Sequence, residues 1–101
     1  MKNAVLIYHQ DPAHGWLAVP KDVAWEVGVT DADFSRYSYQ DDLFLYLEED
    51  GDMTTFLNLW RDRCGIFPQL IDQYTDQDHW IRSQDRCSGS RWVSPFARVS
   101  A

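Results

Sequence analysis

The chain has 101 residues, 45% of them hydrophobic, and a formal net charge of −7. That length holds one domain, residues 1–101, with no room for two. An aromatic content of 15%, including five tryptophans, excludes intrinsic disorder. No apolar run approaches the roughly 20 residues that span a bilayer, so no membrane role is expected.

The charge is unevenly placed. Residues 1–60 carry eleven acids against three bases, and residues 61–101 carry five acids against six arginines. A field this negative repels nucleic acid and attracts basic surfaces. The expected partner is therefore the basic surface of a nucleic-acid-binding protein, with no direct nucleic-acid binding. The apolar run near the N-terminus, Ala4-Val5-Leu6-Ile7-Tyr8, is too short for a secretory signal. A cytoplasmic location is the expectation, and Cys64 and Cys87 are expected there as reduced thiols.

In chain order, residues 4–8 read as a strand rich in branched residues. Gln10-Asp11-Pro12-Ala13-His14-Gly15 is a cluster of turn formers, and Trp16–Val19 reads as a second strand ending at Pro20. Together they predict an antiparallel hairpin. Pro20 suits the first turn of a short helix, with Val23 and Val27 on one face and Gly28 as its stop. Thr30-Asp31-Ala32-Asp33 has the spacing of a capping box and predicts one helical turn.

Residues 36–40 are rich in β-formers, and Asp41-Asp42 marks the tip of a second hairpin. Residues 43–48 read as the strongest strand. Leu43, Leu45 and Leu47 alternate with Phe44, Tyr46 and Glu48, which fits a central strand covered on both faces. Asp52 is expected to cap a helix whose stripe is Met53, Phe56, Leu57, Trp60 and Cys64. Arg61 and Arg63 favour its C-terminal dipole, and Gly65 and Pro68 end it. Residues 70–75 read as one more strand. Residues 76–101 show no period and are expected as an irregular segment tied down by Trp80-Ile81 and Trp92-Val93. The order β-β-α-β-β-α-β predicts an α+β fold, a small, mostly antiparallel sheet with about two helices packed on one face.

Chemistry-bearing patterns are sparse. His9, Asp11 and His14 surround the first turn, but their spacing matches no metal motif, so no metal is expected. His14-Gly15-Trp16 is a possible secondary site, with His14 read as a turn residue. Cys64, Cys87 and His79 form no zinc or thiol-enzyme signature, and no glycine-rich phosphate loop exists. No catalytic residue and no cofactor are therefore assigned. The remaining constellation is an acidic ridge: Asp41 and Asp42 at one end of the strand 43–48, and Glu48, Glu49 and Asp50 at the other. Carboxylates strung along one strand imitate a short row of phosphates, a surface suited to a basic groove. The alternatives are a small enzyme or ligand-binding module using His14, or an accessory interaction domain.

His14-Gly15-Trp16 with Val19-Pro20, Tyr37-Ser38-Tyr39-Gln40, and Tyr46-Leu47-Glu48-Glu49-Asp50 together resemble short proteins of bacterial plasmids, integrative elements and phages. The likeness covers roughly the first 60 residues. That group has no established activity, so no functional residue is carried over. The resemblance implies a genomic setting in which small acidic proteins inhibit host defence, as anti-CRISPR and anti-restriction proteins do, some by mimicking DNA.

Overall fold

The structure, a computed structural model, describes residues 4–90. Strands β1 (Val5–Gln10) and β2 (Gly15–Pro20) form the first hairpin, with His9 opposite Trp16 and Tyr8 opposite Leu17. Helix α1 (Lys21–Glu26) follows directly, with Pro20 at its N-cap, one position earlier than expected. Gly28 leaves it at φ 91°, a conformation that suits glycine. The capping box at Thr30 is formed and starts a 3-10 helix, Asp31–Asp33. Strands β3 (Tyr39–Gln40) and β4 (Phe44–Glu48) make the second hairpin, and α2 (Asp52–Cys64) ends at Gly65 in the left-handed conformation. Then come β5 (Gln69–Tyr74), a 3-10 helix (Trp80–Ser83) and β6 (Asp85–Arg86).

The six strands form one sheet in the order β5-β1-β2-β4-β3-β6. Every pairing is antiparallel except β1 with β5. The expected α+β class therefore holds. The parallel pair follows from the connection. The chain leaves the middle of the sheet through α2 and returns at the far side of β1, a crossover that a hairpin cannot make.

Alternation along β2 and β4 sends residues to two different cores. Leu17, Val19, Leu45 and Leu47 point to the helices, where Ala24, Phe56 and Trp60 meet them. Trp16, Ala18 and Tyr46 point the other way, where Ile81 of the C-terminal segment completes a smaller cluster. The expectation of a strand covered on both faces is met by Leu45, Tyr46 and Leu47, all buried; Leu43 lies outside the strand and is exposed. Each buried aliphatic side chain contributes about 1.5–3 kcal/mol, so losing the second layer would cost the sheet one whole face of its burial.

The structure corrects three expectations. Residues 76–90 are not simply irregular, because β6 extends the sheet and Ile81 of the second 3-10 helix packs on its non-helix face. The strand expected over 36–40 shrinks to Tyr39–Gln40, since Ser35 and Ser38 are turned inward to Asp52. Asp52 does not cap α2. It is the first helical residue, with its carboxylate buried, while Gly51 holds the N-cap position. Glu48 does the capping: its carboxylate accepts the backbone N–H groups of Asp50, Gly51 and Asp52 at 2.8, 2.8 and 3.2 Å. Trp92-Val93 lies outside the described residues.

Candidate functional site

The non-helix face of β2 and β3 opens beside the start of α2 into a cleft of about 770 Å³. His14 and Trp16 form one part of its lining. Ser35, Tyr37 and Tyr39 form another, Glu48, Asp50, Gly51, Asp52 and Thr55 a third, and Arg82 and Arg86 a fourth. Residues distant in sequence, 14–16, 35–39, 48–55 and 82–86, thus all contribute to one concavity.

Asp11 holds one side of the cleft together. Its side chain is fully buried and binds Arg82 through Nε at 2.8 Å and Nη2 at 3.0 Å. It also accepts the backbone N–H groups of Ala13, His14 and His79 at 3.0, 2.9 and 3.1 Å. The Arg82 guanidinium holds the Asp11 carboxyl well below the usual carboxylate range; burial opposes this, and the backbone donors reinforce it. Thus clamped, Arg82 lies over the Trp16 ring, 5.1 Å from its centroid. Arg86 lies 4.8 Å over Tyr39 and donates to the Arg36 carbonyl at 2.8 Å. Both arginines thus stack on aromatic faces.

On the opposite side, Asp52 Oδ2 accepts three bonds, from Ser35 N at 2.8 Å, Ser35 Oγ at 2.7 Å and Ser38 Oγ at 2.6 Å. Ser38 Oγ in turn accepts the Glu48 N–H at 3.0 Å. This network fixes the loop before β3 against the start of α2, and hence the position of Tyr37 and Tyr39.

Behind the Trp16 side, His9 and His79 are both buried with ring centroids 4.7 Å apart. His79 Nδ1 accepts the Ile81 N–H, and His9 Nδ1 has no hydrogen-bond partner. Burial pushes the pKa of each below its ordinary value, and each ring also feels a neighbour, His79 in one case and the opposed Asp11 and Arg82 charges in the other. Among the described residues, no group of three or more histidine, cysteine or carboxylate side chains is arranged to hold a metal.

The structure brings His14, Trp16, Glu48 and Asp50 into one cleft and separates them from the other expected positions. Asp41 closes the β3–β4 turn, accepting Leu43 N at 2.9 Å, Phe44 N at 2.8 Å and the Tyr46 hydroxyl. Burial works against its ionisation, but these donors hold its pKa below the ordinary value. Asp42 is exposed beside a second hollow lined by Trp25, Leu43 and Phe44. Glu49 is turned to the Tyr8 hydroxyl, 3.4 Å away, and Asp50 is exposed. Cys64 and Cys87 form no disulfide, and the buried Cys87 thiol is pushed up to about 12, chiefly by burial.

Sequence reading missed Asp52 as a buried hub, Tyr37 and Tyr39 as cleft walls, and both arginines. Only the Tyr37/Tyr39 alternation left a local signal. No protein-family model, no curated protein and no solved structure matches this chain. Function therefore rests on the chemistry of the site.

Proposed function

We propose that this protein is a non-catalytic binding protein that receives an arginine or lysine side chain of a basic partner in the cleft. The carrying observation is the charge of the lining. Glu48, Asp50 and Asp52 face Arg82 and Arg86, and the charge of Arg82 is already matched by Asp11. Among the described residues three lining carboxylates thus face one guanidinium without a carboxylate partner, that of Arg86, which donates to the Arg36 carbonyl. Glu48 and the buried Asp52 also hold the fold, and Asp50 is the exposed one. Tyr37, 71% exposed at the rim, adds a ring face for a cation. The negative field of the first 60 residues, Asp41 and Asp42 included, acts at longer range by steering a basic surface toward the cleft. The partner class that fits is a protein whose basic groove holds nucleic acid, and occupying that groove would inhibit a host defence complex.

Binding rather than catalysis is supported by the hydroxyls. Ser35 and Ser38 donate to Asp52, so neither is held by a histidine base as a nucleophile requires. His14 packs its ring near Trp16, with centroids 6.1 Å apart.

The test is an NMR titration of the labelled protein with N-acetyl-arginine amide and, separately, N-acetyl-glutamate amide. The arginine probe should shift the Trp16 indole and the amides of Tyr37 and Gly51. Its effect should weaken with salt and be lost in Asp50→Lys. Shifts of equal size from the glutamate probe, or arginine shifts unchanged in a folded Asp50→Lys protein, would overturn the assignment.

A further inference from the structure

The two edges of the sheet differ in a way that bears on association. The β6 edge is two residues long and both are charged, Asp85 and Arg86, which is how sheets blunt an edge against pairing. The β5 edge is longer and far less charged. It runs six residues, Gln-Leu-Ile-Asp-Gln-Tyr, with no proline, no lysine and one charge. Five of its six residues are exposed, including Ile71 and Tyr74, and Val5, Ile66 and Phe67 add exposed apolar surface beside it. Among the described residues nothing pairs with its outer side.

Hydrogen-bond direction identifies the open groups. Gln69 N–H donates to Ala4 and Thr75 N–H donates to Gln10, so the odd-numbered residues of β5 turn their backbone toward β1. Leu70, Asp72 and Tyr74 therefore present their N–H and C=O groups outward, because successive residues of a strand alternate. Water satisfies such a row in the monomer, and a second strand can replace it along the whole length.

We infer that β5 pairs antiparallel with β5 of a second copy about a two-fold axis at Ile71, joining two six-stranded sheets into one. Self-complementarity selects the second copy as occupant. In this register Leu70 and Asp72 of the other copy exchange backbone bonds at two symmetry-related places. Ile71 meets Ile71, and Gln69 faces Gln73. Each Asp72 faces a leucine, so the two carboxylates do not oppose one another; an axis at Asp72 would set them face to face. Charge placement agrees. The acids of residues 31–33 and 41–42 lie on the β4–β3–β6 side of the sheet, and Asp31 bonds to Gln40 and Ser88 there. The pairing edge thus keeps the most acidic segments of the two copies far apart.

The experiment is sedimentation velocity on the full chain from about 1 μM to about 500 μM, spanning the range of modest affinities. It compares the native protein with Ile71→Lys and Asp72→Pro, with circular dichroism confirming the fold of each. Ile71 is 47% exposed, so lysine is tolerated in the monomer but sets like charges across the axis. Asp72→Pro removes an outward N–H that makes no bond inside the chain. The native protein should dimerise. Because each copy carries −7, the dimer should tighten several-fold as salt rises from about 0.01 M to about 0.15 M and the screening length falls from ~30 to ~8 Å. That trend is opposite to the one expected for a cation in the cleft, so the two ideas fail separately. Both variants should be monomeric; if Asp72→Pro does not fold, Ile71→Lys decides alone. A native protein that stays monomeric throughout, or a dimer that survives Ile71→Lys unchanged, overturns the inference.

Discussion

Replacing Asp11 with alanine should cost the fold more than any other single charge change. The carboxylate accepts five hydrogen bonds, three from backbone N–H groups and two from Arg82. Removing one partner of a buried ion pair costs about 3–5 kcal/mol. The low end, about 3 kcal/mol, applies here because the Arg82 side chain is 30% exposed and can turn toward water. The N–H groups of Ala13 and His14 sit in an exposed loop and find water. The N–H of buried His79 does not, and an orphaned donor there adds about 1 kcal/mol. The total, about 4 kcal/mol, is a large share of the roughly 5–15 kcal/mol that stabilises a domain of this size. It corresponds to a loss of at least about 16 °C in Tm. Urea and thermal unfolding followed by circular dichroism measure it directly. Arg82→Ala should cost less, since Asp11 keeps its three backbone donors. A loss below about 1 kcal/mol for Asp11→Ala would place the pair among ordinary exposed ion pairs and refute the clamp.

Acid should weaken the fold in two stages. His9 and His79 bind protons less readily when folded than at their ordinary 6.5, so their contribution is complete above that pH and declines as pH falls below it. Asp11, Asp31 and Asp41, also depressed, add a second loss below about 3.8. A urea midpoint that stays flat from pH 8 to pH 5 would contradict the histidine stage. Gly15→Ala should destabilise by roughly 1–3 kcal/mol through overpacking, because a Cβ there would sit 2.6 Å from Tyr8 Cζ; a Tm equal to the native value would show that Tyr8 moves aside freely. Trp60→Ala should cost about 3–5 kcal/mol and Trp60→Phe much less, since the buried Nε1 has no partner to lose. Equal melting points for the two variants would argue against the packing of Trp60 on Phe56.

Where structure followed a local rule, it was legible in the sequence. The period-two alternation of Leu45, Tyr46 and Leu47 and the helical spacing of Phe56 and Trp60 are set by burial within a single element. Thr30 and Asp33 form the capping box that their spacing announces, and Gly65 ends α2 as its position suggests. What failed depended on partners distant in sequence. An aspartate before an apolar helical run looks like a cap, and only the folded chain reveals that Ser35 and Ser38 claim Asp52 and leave the capping to Glu48. Arg82 reaches Asp11 across 71 positions, and nothing near either residue hints at the other. Strand β6 is two charged residues with no apolar rhythm, made a strand only by the edge of β3 that it finds.

The position of Ile81 in the chain has a consequence for biosynthesis. The face of β2 that carries Trp16 and Ala18 is covered by a segment that begins near His79, and β1 acquires its outer neighbour only at Gln69. A nascent chain that has exposed the first hairpin, α1 and β4 therefore shows the ribosome's surroundings a bare aromatic face until Ile81 has emerged. Pairings this distant in sequence close late and slowly. The fold is thus completed only once residues 79–81 are available, and the interval in which Trp16 is uncovered is the one in which a chaperone would engage the chain.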